Sequence, residues 1–96
     1  MKPSDALRTH RETIRAIVLA HKATNPRVFG SALHGDDTDE SDLDLLVDPQ
    51  PGASLLDLAQ IQVELEAKLG VAVDVLTPNA LPASFRQQVM QEAISV

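Results

Sequence analysis

Cysteine is absent from this 96-residue chain, which excludes disulfides, thiol nucleophiles and thiolate metal sites. Tryptophan and tyrosine are absent too, and Phe29 and Phe85 are the whole of its aromatic content. So few rings disfavour a stacking platform for single-stranded nucleic acid. No apolar run approaches the roughly 18 residues of a membrane-crossing helix. The opening Met1-Lys2-Pro3-Ser4-Asp5 leads into charge rather than an apolar stretch, so no secretory signal is read there and a cytoplasmic protein is expected. What the chain does have is 44% hydrophobic residues, enough for one packed core. A single domain over residues 1–96 is expected.

Basic residues are scarce after the first quarter. Residues 1–27 carry six Lys and Arg against two acids, whereas residues 28–96 carry two against twelve, seven of them between Asp36 and Asp48. The net charge is −6. Such a chain is a poor non-specific ligand for phosphate backbones, so no direct nucleic-acid partner is expected. The dense acids raise a different question, namely what holds them together.

Periodicity predicts one helix over residues 4–22, with Ser4 as its N-cap, an apolar stripe of Leu7, Ile14, Ile17 and Val18, and a basic stripe of Arg8, Arg11 and Arg15. That basic stripe reads as a solvated face, or as a contact for an acidic protein surface. His10 and His21 lie near the apolar stripe and read as partly buried structural residues. Pro26 ends this segment. Arg27-Val28-Phe29 is a short strand, Ala32–His34 a helical turn closed by Gly35, and Asp36–Ser41 a solvated polar loop. Leu43–Val47 is a strong strand. A helix over 55–69, capped by Ser54 and stopped by Gly70, follows. Val71–Leu76 is a third strand, and a last helix runs from about Pro82 to Gln91. Ala93–Val96 reads as a short strand or a frayed tail. The order α-β-α-β-α-β-α predicts an α/β (α+β) fold, a small sheet with helices packed on a face.

Strand alternation then gathers chemistry. Asp42 and Asp44 share one face, with Leu43, Leu45 and Val47 on the other. In the third strand Asp74 stands opposite Val73 and Val75. A carboxylate inside an apolar strand is costly unless it is paired, hydrogen-bonded or bound to metal. If the two strands are neighbours, three carboxylates meet on one surface, and oxygen-only donors suit Mg²⁺ or Mn²⁺. Gly30-Ser31, at a strand-to-turn junction, offers free N–H groups and a hydroxyl to phosphate oxygens. A phosphate cradle beside a carboxylate site fits phosphoryl or nucleotidyl transfer. Two calcium- and phosphate-binding alternatives fail. An EF-hand starting at Asp37 would put Asp42 where Gly is required and Asp48 where Glu is required. Gly30–Gly35 lacks the Gly-Lys-Ser/Thr of a Walker loop.

These residues resemble a known family. Gly30-Ser31, ten intervening residues, Asp42-Leu43-Asp44-Leu45 and the later Val73-Asp74-Val75 are similar to the motif of the DNA polymerase beta-type nucleotidyltransferases. The segment Gly30–Gly35 and Ser41–Val47 narrow the resemblance to the minimal nucleotidyltransferases, over essentially the whole chain. It implies a nucleotidyltransferase-like fold with a small mixed sheet. Gly30 and Ser31 would contact the nucleotide, and Asp42, Asp44 and Asp74 would be the catalytic carboxylates holding two Mg²⁺ ions, with Mn²⁺ as a possible substitute. It further implies transfer of AMP from ATP to a tyrosine of a HEPN-domain toxin. The chain would then be the antitoxin of the pair, in a homo- or hetero-oligomer. Many family members carry Arg between the two glycines; here those positions are Ala32, Leu33 and His34. A rival reading from another class is a binding module that silences the toxin by masking it. Drug-modifying nucleotidyltransferases are a third, but they need a further acceptor-binding domain.

Overall fold

In the computed structural model, which describes residues 1–96, the chain forms a four-stranded mixed sheet with helices on both faces. Helices α1 (Pro3–Thr9) and α2 (Arg11–Ala20) precede β1 (Ala23–Phe29). A single-turn helix, α3 (Ser31–His34), leads through an acidic loop to β2 (Leu43–Pro49). Helix α4 (Leu55–Leu69) connects to β3 (Val73–Leu76). A 3-10 turn (Pro78–Ala80), helix α5 (Ala83–Glu92) and a two-residue β4 (Ile94–Ser95) complete the chain.

The sheet order is β3-β2-β1-β4. Strand β2 pairs with β3 in parallel, across the α4 crossover that a parallel pair requires. It pairs with β1 antiparallel. Strand β4 adds to the far side of β1, which settles the sequence-level alternative of strand or tail. The main core lies under one face, where Leu43, Leu45, Val47, Val73 and Val75 meet Ile14 and Val18 of α2 and Ile61, Leu65 and Leu69 of α4. The side chains assigned to the core face by alternation are all there.

The opposite face is not bare, and here the expectation of helices over one face needs correction. Leu46 shares the carboxylate face of β2, yet it is fully buried with Phe29 and Leu81, against Leu76, Val89 and Ala93. Helix α5 therefore covers half of this face and leaves the end bearing Asp42 and Asp44 uncovered.

The predicted helix over 4–22 is two helices. The chain breaks at His10, with φ −121° and ψ 29°. No proline or glycine is involved. The Thr9 hydroxyl donates to the Asp5 carbonyl at 2.9 Å, a back-bond that competes with the helix ladder and bends it. Bending keeps both Leu7 and Ile14 in the core. Ser4 is not the N-cap; Lys2 is, with Pro3 in the first turn. The Ser4 N–H instead donates to Asp37 Oδ2 at 2.8 Å and its hydroxyl to Asp37 Oδ1 at 3.1 Å. Asp37 is thus a buried tertiary cap for α1 rather than part of a solvated loop. These bonds hold its carboxyl below the usual range.

Strand β1 begins four residues earlier than predicted, at Ala23, because an irregularity between Thr24 and Arg27 absorbs Pro26. Asn25 takes a left-handed φ of 53° there. Asp48 secures the bend by accepting from Asn25 Nδ2 at 3.0 Å and from Arg27 at 2.6 Å. Helix α4 runs as predicted. Ser54 and Asp57 form a reciprocal capping box, and Gly70 closes the helix in the left-handed conformation.

Candidate active site

Strand register assembles the site. Across the antiparallel pair Phe29 faces Asp44, and across the parallel pair Asp44 faces Asp74. Residues directly opposite share a face, so Phe29, Asp44 and Asp74 form a row across three strands. Asp42, one pleat earlier, stands beside Asp44. Asp42 and Asp74 are exposed while Asp44 is half-buried. Asp74 lies on an edge strand, so it is open to an approaching molecule.

Asp44 carries the electrostatic consequence. Its carboxyl is pushed up to about 6, first by burial and then by the like charges of Asp74 and Asp42. No three acidic or imidazole side chains are already drawn together as a bound cation would hold them. The donor set nevertheless fits Mg²⁺: it is all oxygen, it is anionic, and the like charges of Asp74 and Asp42 add to burial in disfavouring the bare Asp44 carboxylate.

Gly30 backs Asp44 from β1. Its φ of 75° and ψ of −151° are rare for any residue with a side chain. A Cβ at this position would also collide with Asp44 Oδ2 and lie 3.2 Å from its Cγ. The backbone conformation thus favours glycine, and any side chain here would have to displace the Asp44 carboxylate. The turn makes Gly30 the cap of α3, and its carbonyl accepts from the N–H groups of Leu33 and His34 at 3.1 and 3.2 Å. Ser31, half-buried, opens α3, where the first N–H groups have no partner within the helix. The structure thus brings Gly30, Ser31, Asp42, Asp44 and Asp74 to one end of the sheet.

Other residues singled out in the sequence have structural roles. Arg15 donates through Nε to the Val96 carbonyl at 2.9 Å and pairs with Glu12, and Arg8 pairs with Asp5 at 2.5 Å. His21 pairs with Glu64, tying the end of α2 to α4. The largest hollow, about 450 Å³ between His21, Leu56 and Val63, lies on the outer side of α4, across the sheet from the carboxylates. A second groove, of about 330 Å³, adjoins Gly30 under α5. Sequence reasoning missed it, because Phe29 and Phe85 are 56 positions apart and no periodicity relates them.

The family model for the polymerase beta nucleotidyltransferase domain matches residues 12–96. "Putative protein adenylyltransferase MJ0435" of Methanocaldococcus jannaschii is 37% identical over 86 residues, covering 90% of this chain and 92% of that protein. Protein adenylyltransferase MntA of Thermococcus cleftensis is 33% identical over 93 residues, covering 88% and 94%. A solved structure described as a "putative minimal nucleotidyltransferase" superposes with a TM-score of 0.86 at 41% identity, over 97% of this chain and 95% of the other. A toxin–antitoxin crystal structure with AMP-PNP shares the fold, at a TM-score of 0.73 and 20% identity over 88% of this chain and 69% of that one. The chain belongs to the polymerase beta-type nucleotidyltransferase family. Within it the chain is a minimal nucleotidyltransferase, and therefore an enzyme.

Proposed function

We propose that the protein transfers AMP from ATP to a tyrosyl hydroxyl of a HEPN-domain toxin, with Mg²⁺, as the antitoxin of that pair. The observation that carries this reading is the row Phe29-Asp44-Asp74 with Gly30 packed behind Asp44. Supporting it, relatives at 37% and 33% identity are named protein adenylyltransferases, and a structure of the same fold is a toxin–antitoxin with an ATP analogue.

Asp42, Asp44 and Asp74 would hold Mg²⁺, which when bound neutralises the triphosphate and activates the attacking oxygen. The chain's own residues do the positioning. The Gly30 turn and the Ser31 hydroxyl and N–H hold phosphate oxygens, keeping the α-phosphorus before the carboxylates. Asp74, exposed at the sheet edge, faces the acceptor hydroxyl. The new bond joins the tyrosyl oxygen to the α-phosphorus; the bond to pyrophosphate breaks, and pyrophosphate leaves. The tyrosyl proton passes to solvent. A phenol with a pKa of about 10 needs this activation near neutrality.

The chain contains no tyrosine, so a tyrosine-linked product can form only on the partner. The acidic surface beyond residue 28 favours a basic partner face, an attraction that salt weakens. Labelling decides the reaction. ATP labelled at the α-phosphate should mark the toxin, and ATP labelled at the γ-phosphate should not. Chelation of divalent cations should abolish the mark. A toxin silenced in stoichiometric complex without label would replace this reading by masking.

A further inference from the structure

Helix α4 is apolar on two sides. Ile61, Leu65 and Leu69 face the core, while Leu56, Ala59, Val63 and Ala67 run along the opposite side at helical spacing and are exposed. Leu56 is 66% and Val63 64% exposed. A single apolar side chain on a surface needs no explanation, but a stripe of about three turns that borders a hollow does. Charge marks the same face. The chain carries a net −6, so two copies repel at most approaches. Among the exposed residues of α4 the charged ones are Glu64 and Lys68, which cancel, and Glu64 is also paired with His21. The outer side of α4 is thus an apolar, neutral window in an acidic surface.

We propose that this face is a two-fold interface, at which a second copy of the chain docks with its α4 antiparallel to the first. A two-fold contact must be self-complementary, because each copy presents the same surface. The stripe meets that condition in one register. With the helices antiparallel, Leu56 of one copy lies opposite Ala67 of the other and Val63 lies opposite Ala59, so each large side chain meets a small one. Sliding the pair by about one turn either way sets Val63 on Val63, or Leu56 on Val63. The flank obeys the same symmetry. Asp57 and Lys68 are about three turns apart and so lie on one line along the helix. Reversal places Lys68 of each copy beside Asp57 of the other, two opposite-charge contacts per pair. An unrelated protein would need only an apolar groove, whereas this order of large and small, with opposite charges at the two ends, is what a copy of the same helix requires. The core side of α4 packs on the sheet face away from the carboxylates, so both sites of a pair stay open. One helix face is small beside the roughly 800 Å² per partner of a standard interface, so the pair is weak and concentration-dependent.

Sedimentation equilibrium from about 10 µM to about 1 mM tests the association, the range that suits a small interface. The average mass of the wild-type protein should rise from one chain toward two. Val63→Lys puts like charges where two valines were covered, and should weaken association at least about 10²-fold. Far-UV circular dichroism verifies that the variant keeps the fold. Because the chain has no cysteine, single cysteines report the orientation. In the antiparallel pair Val63 lies near the two-fold axis and Leu56 far from it. Mild oxidation should therefore link Val63→Cys into disulfide-bonded pairs and leave Leu56→Cys unlinked. A wild-type protein that stays a single chain at about 1 mM overturns the inference, as does Val63→Lys associating like wild type. Equal cross-linking at both positions overturns the antiparallel docking. If wild type stays single while Val63→Lys loses affinity for the toxin, the face belongs to the toxin instead.

Discussion

A Cβ added to Gly30 would strike the Asp44 carboxylate. The close approach joins the turn after β1 to the central carboxylate of β2, so it fixes the Gly30 turn against the acidic row. Changing Gly30 to Ala should disturb both. The left-handed φ alone costs about 1–2 kcal/mol, and displacing Asp44 by about 1 Å should lower transfer roughly 10²-fold. Thermal melting and labelled-ATP transfer together check this. A variant with wild-type transfer would show that the close approach does not matter.

Asp44 makes the stability of the metal-free protein depend on pH. Its folded value is raised from 3.8 to about 6. A raised carboxyl binds its proton more tightly folded than unfolded, so this contribution is fully present below about pH 4 and is lost as pH rises through 6. Asp44→Asn removes that loss. In chelator at pH 7.5 the Asn variant should be more stable than wild type by roughly 1–2 kcal/mol, after allowance for solvent screening. At pH 4 the two should agree. Urea melts at both pH values measure the difference, and an Asn variant less stable at pH 7.5 would assign Asp44 a structural role.

Asp37 should behave in the opposite sense. Its carboxyl is lowered, chiefly by the Ser4 N–H, so the stability it contributes is present above about pH 4 and lost on acidification. Asp37→Ala frees the start of α1 and should lower the melting temperature by several degrees at pH 7, with nucleotide affinity unchanged. Asp37→Asn, which keeps one acceptor oxygen, should fall between. Calorimetric melts of the three proteins test the order.

Local patterns were legible in the sequence where a single rule governed them. Alternation placed Leu43, Leu45 and Val47 against the core and Asp42 and Asp44 away from it, and spacing with caps delimited α4. The juxtaposition of Asp74 with Asp44 depended on which strands are neighbours, which no periodicity states, and the parallel register supplies it. The break at His10 escaped because it arises from the Thr9 back-bond rather than from proline or glycine. Asp37 looked like one acid among seven, since its partner Ser4 is 33 residues away. The burial of Leu46 on the carboxylate face was not legible, because α5, which covers it, arrives from the far end of the chain.

The central claim is transfer of AMP to a partner, and intact mass spectrometry of the HEPN toxin after incubation with ATP, Mg²⁺ and this protein tests it most directly. The toxin should gain mass in steps of one AMP unit, each step on tyrosine. Asp44→Asn should slow the gain at least about 10²-fold, the scale of losing several kcal/mol of charge stabilisation. A toxin inhibited by this protein at unchanged mass would contradict the account, and so would full transfer by the Asn variant.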